Sequence, residues 1–302
     1  MAKVLVVEGN TPEGVAAVRA AGGVAAAETY AGALRAFAPG LEIAVARPSF
    51  PGFDARALSL DGIDGVALTG SGAAFAADAP EARPHRALVE RAFAAGLPVI
   101  GSCWGLQVPA VVLGGGVGAA GAGIEVPVAR DIRLTPAGLD HPLHAHRGVV
   151  FDAPCIHRDE VRRPPTGARV TATNGHSAVQ AMVYEQGGVR FWGMQYHPEH
   201  GPEEALRYLR RPDAAALLAG AEPLVDATAV LAADDGLGSD RMAMLTDPAV
   251  RGAELKSWLL AIGAIAVRVF DQSDLCPAAP RLRQEPAALG RDGPPPVVTV
   301  EG

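Results

Sequence analysis

Short runs of β-branched residues alternate with longer amphipathic stretches through the first two thirds of the chain. This alternation is typical of parallel strands joined by helical crossovers, so it predicts an α/β sheet. Thr11 and Pro12 supply N-cap and N1 chemistry for the first helix, and Gly96 closes a later one. The predicted strands are 3–7, 41–46, 65–68 and 98–100, and the predicted helices are 12–21, 81–95 and one that begins near Cys103.

The pattern changes in the second part of the chain. Short alternating segments between residues 123 and 196 are separated by Gly, Pro and Asn, which predicts antiparallel strands that complete the sheet. A helix-like stretch at 202–211 is followed by an Ala/Leu-rich segment, by a helical period at 255–269 and by a proline-rich end. The predicted domains are an α/β domain at 1–210, a helical appendage at 211–274 and an extended or flexible tail at 275–302.

Composition excludes several classes of protein. The 302 residues are 49% hydrophobic, which fits a globular chain, and a net charge of -7 gives no global basic field to hold nucleic acid. The longest apolar runs fall far short of the ~20 residues that span a bilayer. The first residues enter a strand directly without a signal-peptide pattern, so we expect a cytoplasmic protein. The three cysteines show no C-x-x-C spacing, which argues against a disulfide framework or a zinc site.

Cys103 lies where a predicted strand turns sharply into a helix. Glycines stand two residues before and two residues after it, at 101 and 105, which is the spacing of a nucleophile elbow. The unpaired N–H groups and positive dipole end of a helix N-terminus favour the thiolate, the reactive form of cysteine. Read alone, the segment is equally consistent with a buried structural cysteine.

His197 and Glu199 follow another strand-like run. Residues two apart on an extended chain point to the same side, so Glu199 can hold the His197 imidazole while that ring serves Cys103. A histidine alone is more often structural. The elbow and the His-Pro-Glu sequence together in one α/β chain favour a catalytic triad.

Two segments of the chain are Gly-Ser-Cys-Trp-Gly-Leu-Gln at 101–107 and Gln-Tyr-His-Pro-Glu at 195–199. In composition, order and spacing they resemble the motifs of the class I glutamine amidotransferases. The resemblance implies a three-layer, flavodoxin-like fold with a mixed, mostly parallel sheet, helices on both faces and a helical C-terminal appendage. It also implies that Cys103 attacks the γ-amide of glutamine, that His197 is the general acid/base and that Glu199 orients it. A γ-glutamyl thioester would form and ammonia would leave.

Further site residues follow from the same resemblance. An oxyanion hole needs backbone N–H donors, which Trp104 and the turn around Gly70 and Ser71 can supply. Ser71 departs from the family's Gly-Gly form, which leaves open which amide of the turn donates. Gln107 matches a glutamine that lines the substrate pocket, although it could equally be an ordinary helix residue. His157 matches a pocket-wall histidine, although a hydrogen-bonded loop residue is a slightly better interpretation.

No metal or organic cofactor is expected, because a thiolate, an imidazole and backbone donors suffice for acyl transfer. His141, His144 and His146 are close in sequence, but they lie in a proline-containing stretch without a carboxylate pattern. We interpret them as part of a solvated loop.

Three functions remain open at this stage. The chain lacks a nucleotide-binding fingerprint, so an amidotransferase-like glutaminase would pass ammonia to an acceptor protein in trans. Residues 247–259 loosely resemble a helical appendage of stand-alone, GMP-synthase-like members, which agrees with this interpretation. A γ-glutamyl peptidase or hydrolase would use the same acyl chemistry on a larger amide. A non-catalytic binding or regulatory subunit would keep the fold with a mis-set triad.

Overall fold

The computed structural model describes residues 1–73, 75–201, 204, 207 and 239–266. The strands are β1 (Lys3–Val7), β2 (Glu42–Ala46), β3 (Gly65–Leu68), β4 (Pro98–Ser102), β5 (Gly116–Ala119), β6 (Val128–Leu134), β7 (Val150–Pro154), β8 (Asp159–Arg163), β9 (Arg169–Thr173), β10 (Ala181–Tyr184) and β11 (Arg190–Met194). The helices are α1 (Pro12–Ala20), α2 (Ala26–Phe37), α3 (Arg83–Ala94), α4 (Trp104–Val112), α5 (Pro136–Leu139), α6 (Ser239–Thr246), α7 (Pro248–Arg251) and α8 (Ala253–Ala261).

Nine strands form one mixed sheet in the order β2-β1-β3-β4-β11-β10-β9-β6-β7. The five strands from β2 to β11 are parallel, and each later neighbour is antiparallel. Strands β5 and β8 form a separate antiparallel pair. The four predicted N-terminal strands and the antiparallel second part are therefore confirmed.

Helices cover both faces of the sheet, as the predicted three-layer fold requires. On one face, Val4 and Val6 of β1 pack in a cluster with Tyr30 and Leu34 of α2. On the other face, Leu5 of β1 joins a cluster that includes residues of α3 and α4. Neighbouring strand residues supply opposite faces because side chains alternate across a strand, so a strand covered on both faces is apolar throughout.

The described C-terminal helices pack against the sheet, and residues Met1–Ala266 form one compact unit. Trp258 of α8 is 1% exposed and lies directly over β3, since a Cβ added to Gly65 would come within 2.7 Å of its ring. Glu254 of the same helix is fully buried. It accepts a 2.9 Å hydrogen bond from Arg147 Nε and a 2.8 Å bond from the Tyr196 hydroxyl.

The helix predicted from the period at 255–269 extends beyond the end of the observed helix. Helix α8 ends at Ala261. Gly263 has a φ of +72°, and the N–H groups of Gly263 and Ala264 donate to Leu260 and Leu259. Glycine adopts this left-handed conformation without a Cβ penalty, so it closes the helix in the manner of a Schellman motif.

Other predictions lie outside the described residues. They include most of the predicted helix at 202–211, both domain boundaries and the proline-rich tail. Within the part of the chain that the structure describes, no helix combines the length and the apolarity needed to cross a membrane.

Trp258→Ala tests the contribution of α8 to stability. Removing a fully buried large aromatic side chain leaves a cavity between α8 and the sheet, so we expect the free energy of unfolding to fall by about 3–5 kcal/mol. Urea unfolding followed by circular dichroism measures the change. Lys256→Ala on the same helix is the control and should change stability by less than about 0.5 kcal/mol. Equal effects of the two substitutions would contradict the packing described above.

Candidate active site

The nucleophile elbow forms because two glycines let backbone segments touch. A Cβ at Gly101 would lie 2.0 Å from the carbonyl oxygen of Gly105, and a Cβ at Gly105 would lie 2.3 Å from that of Leu68. Cys103, between them, has φ 55° and ψ −110°, an uncommon conformation for a residue other than glycine. This strained turn at the end of β4 sets the thiol directly before the first residue of α4.

The Cys103 backbone is held from the neighbouring strand. Its N–H donates to the Met194 carbonyl at 2.7 Å, and its sulfur lies 3.5 Å from the carbonyl oxygen of Ile156. The residue is 6% exposed. The thiol is therefore largely withdrawn from solvent and sits at the N-terminus of α4, where the helix dipole stabilises negative charge.

Parallel pairing brings the two sequence motifs together. Strand β11 lies next to β4 in register, with Met194 opposite Ser102, so both chains leave the sheet at the same edge. His197 follows β11, and its backbone N–H donates to the Pro154 carbonyl at 2.8 Å. A Cβ added to Gly70 would lie 2.6 Å from His197 Cε1 and 3.5 Å from the Cys103 Cβ, so the ring and the elbow meet at this glycine.

His197 and Glu199 form a buried pair. His197 Nδ1 lies 2.8 Å from Glu199 Oε1, and both residues are 4% exposed. A carboxylate can only accept, so Nδ1 carries a proton. This fixes the orientation of the ring and turns Nε2 away from Glu199.

The pair is charged. Burial alone would lower the pKa of His197, but the Glu199 carboxylate and hydrogen bonds to Cys103 and Glu199 raise it to about 10. Burial would raise the pKa of Glu199, and the His197 charge and hydrogen bond lower it instead. An imidazolium beside the thiol is ready to donate a proton.

His200 is a further buried histidine next to His197, and the sequence did not indicate it. Its ring stacks on that of His197 with centroids 4.3 Å apart and planes inclined by 2°. Burial and the neighbouring His197 charge lower the pKa of His200 to about 3, so this ring stays neutral. A flat neutral neighbour restricts the tilt of His197 without competing for its proton. The three-residue spacing was visible in the sequence, but nothing there distinguished stacking from an unrelated histidine.

The turn after β3 is held on its outer side. Thr69 Oγ1 donates to the Gly70 carbonyl at 2.8 Å, and the Gly72 N–H donates to Asn10 Oδ1 at 2.9 Å. A Cβ at Gly9 would touch the Gly70 oxygen at 2.5 Å, so this carbonyl points toward Gly9. In a trans peptide the next N–H points the opposite way, which directs the Ser71 N–H away from Gly9.

Trp104, Gln107 and His157 all line the same cleft as Cys103. Trp104 packs edge-on against His85, with ring centroids 4.6 Å apart. Gln107 Nε2 donates to the Asp159 carbonyl at 2.7 Å, so it braces the cleft wall. His157 lies 2.8 Å from Glu125, a contact that the sequence did not indicate because the two residues are 32 positions apart.

The predicted solvated histidine loop is wrong for two of its three members. His141 and His144 are 5% and 4% exposed. His141 accepts the Leu143 N–H, and His144 contacts the Thr171 hydroxyl at 3.0 Å. The stretch folds back onto the sheet, where these rings pack against Trp192 and Phe151 instead of water.

The cleft encloses about 800 Å³, part of it open to solvent. Cys103 and His197 line the cleft together with apolar and polar side chains. We call Phe75, Ile124 and Ile156 the apolar wall, and His157, Arg158 and Asp159 the polar wall.

Two groups of three side chains in the described part of the chain bring metal-ligating atoms within 4.8 Å of one another. One is His197, Glu199 and His200, which is the triad region itself. The other is Glu125, Cys155 and His157, directly behind the cleft wall.

Comparison with known proteins identifies the family of this chain. The profile of the family described as glutamine amidotransferase class-I matches residues 33–211, which include the elbow and the His-Pro-Glu sequence. The chain belongs to the class I glutamine amidotransferase family. It is accordingly an enzyme that acts on amide bonds.

Relatives within this family differ in how much they share with the chain. A gamma-glutamyl-L-1-hydroxyisopropylamide hydrolase from a Pseudomonas species is 34% identical over 211 residues, which are 69% of this chain and 71% of the relative. A GMP synthase from Alcanivorax borkumensis is 38% identical over 110 residues, which are 35% of this chain. The chain spans only 20% of the length of that GMP synthase.

Solved amidotransferases share the fold. A glutamine amidotransferase from Thermotoga maritima superposes with a TM-score of 0.61 at 17% identity, over 86% of this chain and 97% of the other. One from Methylobacillus flagellatus gives a TM-score of 0.58 at 18% identity, over 88% and 95%. These likenesses agree with the predicted three-layer α/β fold.

Glu199→Gln tests the charge of the buried pair. Without the carboxylate, the largest influence that raises the pKa of His197 is lost while burial still lowers it, so we expect this pKa to fall from about 10. In the wild type the imidazolium should persist as the pH rises from 6 to 9, and in the variant the ring should lose its proton within or below that range. Nuclear magnetic resonance of the ring nitrogens measures both.

His85 serves as an internal control in the same spectra. Burial lowers its pKa to about 4, so this ring should remain neutral above pH 6 in either protein. A neutral His197 at pH 7 in the wild type would contradict the charged pair.

Proposed function

We propose that this chain is a cysteine-dependent hydrolase of γ-glutamyl amides. The observation that carries the proposal is the joint placement of a thiol at a strained strand-to-helix turn and a buried imidazolium–carboxylate pair beside it. In this proposal Cys103 is the nucleophile, His197 the general acid and base, and Glu199 the residue that orients the imidazole.

The reaction proceeds in two acyl-transfer steps. The Cys103 thiolate attacks the γ-carbonyl carbon, a C–S bond forms, and the C–N bond breaks as His197 gives its proton to the departing amine. Water then attacks the γ-glutamyl thioester while His197 accepts its proton, and the C–S bond breaks to release glutamate. The proton count closes because His197 returns to the imidazolium form and Cys103 to the thiolate.

Two backbone N–H groups are the proposed oxyanion donors. Trp104 provides the first, directly after the nucleophile at the start of α4. The Ser71 N–H is the second. The Gly72 N–H is already bound by Asn10, and the peptide between residues 70 and 71 is anchored through its carbonyl by Thr69. Both donors belong to anchored backbone, so they need little reorganisation as charge develops.

The polar wall suits the amino-acid end of the substrate. Among the described residues that line the cleft, Arg158 carries the one permanent positive charge and Asp159 the one carboxylate. They are adjacent in sequence, and their side chains are 48% and 25% exposed. A γ-glutamyl group ends in an α-carboxylate and an α-ammonium, which this pair of opposite charges complements.

The apolar wall favours a leaving amine larger than ammonia. Phe75, Ile124 and Ile156 line this part of an open cleft, where an alkyl substituent on the amide nitrogen would lose contact with water. The similarity to a γ-glutamyl-alkylamide hydrolase over most of both chains supports the same choice. L-Glutamine is the second candidate substrate, favoured by the partial match to GMP synthases, and its ammonia would then pass to an acceptor protein in trans.

A substrate panel tests this function. We expect wild-type protein to release glutamate from γ-glutamyl isopropylamide with kcat/KM at least about tenfold above that for L-glutamine, since one or two buried methyl groups contribute about 1–3 kcal/mol. The mono-isopropylamide of glutarate is the matching analogue without the α-amino group. It keeps the carboxylate but lacks the α-ammonium, and it should react much more slowly. Glutamate or amine release, followed by chromatography, gives the rates.

Cys103→Ala separates catalysis from binding. The variant should retain the fold and lose turnover of every substrate, whereas Cys276→Ala should keep it. A higher kcat/KM for L-glutamine than for γ-glutamyl isopropylamide would favour the glutaminase function over the proposed hydrolase function. No turnover of any amide by a folded wild-type protein would instead favour a non-catalytic subunit, and turnover by Cys103→Ala would exclude the thioester mechanism.

Ser71→Pro tests the second oxyanion donor. Proline has no N–H, and loss of one such donor typically lowers kcat by about 10²–10³. Ser71→Ala keeps the backbone donor and should lose far less activity. Steady-state kinetics on the best substrate of the panel compares the two variants. An equal loss in both would assign the effect to the serine side chain and exclude the N–H.

A further inference from the structure

The side chains of Cys155, His157 and Glu125 converge behind the polar wall of the cleft. Cys155 is 1%, His157 4% and Glu125 7% exposed. Glu125 Oε2 lies 2.8 Å from His157 Nε2 and 3.6 Å from the Cys155 sulfur. Three different ligand types therefore face one point in an almost dry part of the protein, and none of them belongs to the triad.

Both ring nitrogens of His157 face oxygen acceptors. Its Nδ1 lies 3.1 Å from the Asp159 carbonyl oxygen, and its Nε2 lies 2.8 Å from Glu125 Oε2. A cation bound at Nε2 would take the place of a hydrogen bond to the carboxylate, while Nδ1 could donate to the Asp159 backbone.

The carboxylate is ionised and already supported from behind. Burial opposes its charge, but the His157 contact and hydrogen bonds from Asn174 and Gln180 lower the pKa of Glu125. Asn174 Nδ2 donates to Oε1 at 2.6 Å, and Gln180 Nε2 donates to Oε2 at 2.7 Å. Outer hydrogen bonds of this kind, together with the Asp159 carbonyl on His157, are what orient ligands around protein-bound metals.

We propose that Glu125, Cys155 and His157 form a binding site for a single borderline-soft divalent cation of the Zn²⁺ and Cd²⁺ class. A thiolate, an imidazole and a carboxylate are the donor set that Zn²⁺ takes from proteins, whereas Mg²⁺ and Ca²⁺ take oxygen donors. The ligating atoms lie within 4.8 Å of one another, so small side-chain movements bring them around one ion. A water molecule or His176, whose Nδ1 is 3.7 Å from Glu125 Oε2, can fill a fourth position.

Cation binding releases protons. Burial, reinforced by the Glu125 charge, raises the pKa of the Cys155 thiol well above its ordinary value, so the thiol keeps its proton until a cation replaces it. Forming the metal–sulfur bond releases that proton. The site therefore binds its ion more tightly as the pH rises.

The site shares His157 with the wall of the substrate cleft. An ion bound to Nε2 would hold that ring from behind while Nδ1 stays bonded to the Asp159 backbone. The position of the polar wall would then depend on whether the ion is present. This coupling is separate from any metal inhibition at Cys103, because the two sites use different thiols.

Cd²⁺ titration of single-thiol proteins tests the site. In Cys103→Ala/Cys276→Ala, Cys155 is the sole thiol, and we expect a Cd²⁺–thiolate ultraviolet band that saturates at one ion per chain and that Zn²⁺ abolishes by displacement. A pH indicator should report about one proton released per ion, from the Cys155 thiol. In Cys103→Ala/Cys155→Ala the band should be absent. Adding Glu125→Gln to the first protein should weaken binding by roughly tenfold or more.

Circular dichroism establishes that each variant is folded before the titration is interpreted, and Cys155→Ser serves in place of Cys155→Ala where the latter unfolds. Absence of a stoichiometric band in the folded single-thiol protein would overturn the proposal and leave His157 as a hydrogen-bonded partner of Glu125. An affinity that is unchanged in both His157→Ala and Glu125→Gln would overturn it as well, because it would reduce the site to an isolated thiol.

Discussion

The pairing of β4 with β11 is the constraint on which the rest of the site depends. The two strands are separated by 87 residues of chain between Ser102 and Arg190, yet they lie in parallel register at the centre of the sheet. Because parallel strands end at the same edge, the thiol and the imidazole emerge side by side. The Cys103 N–H bond to the Met194 carbonyl then locks the elbow to the histidine strand.

Buried charge is tolerated here because each ionised group has a partner within hydrogen-bond distance. His197 and Glu199 form one such pair, and Arg147 and Glu254 form another. An unpaired charge at any of these positions would shift its pKa toward the neutral form. The charge of His197 and the contact of helix α8 with Arg147 therefore follow from the same rule.

The sequence was most informative where a motif forces a backbone geometry. The glycines around Cys103 and the spacing of His197 and Glu199 predicted both the turn and the shared orientation. Helix α2 was not predicted, because its buried positions are mainly alanines, which give only a weak hydrophobic period. Yet Tyr30 and Leu34 lie at helical spacing on its buried face. Contacts between distant segments, such as Glu125 with His157 or Glu254 with Tyr196, leave no local pattern, so they required the structure.

The hydrogen bond between Tyr196 and Glu254 has a consequence for the order in which the protein matures. Tyr196 immediately precedes His197, and its hydroxyl donates to a carboxylate 58 positions later in the chain. During synthesis Cys103 and β11 leave the ribosome well before α8 does. A nascent chain therefore contains Cys103, His197 and Glu199 before it can bury Arg147 and Tyr196 against Glu254. The hydrogen bond that anchors the residue before His197 can form only once the last described helix has been made.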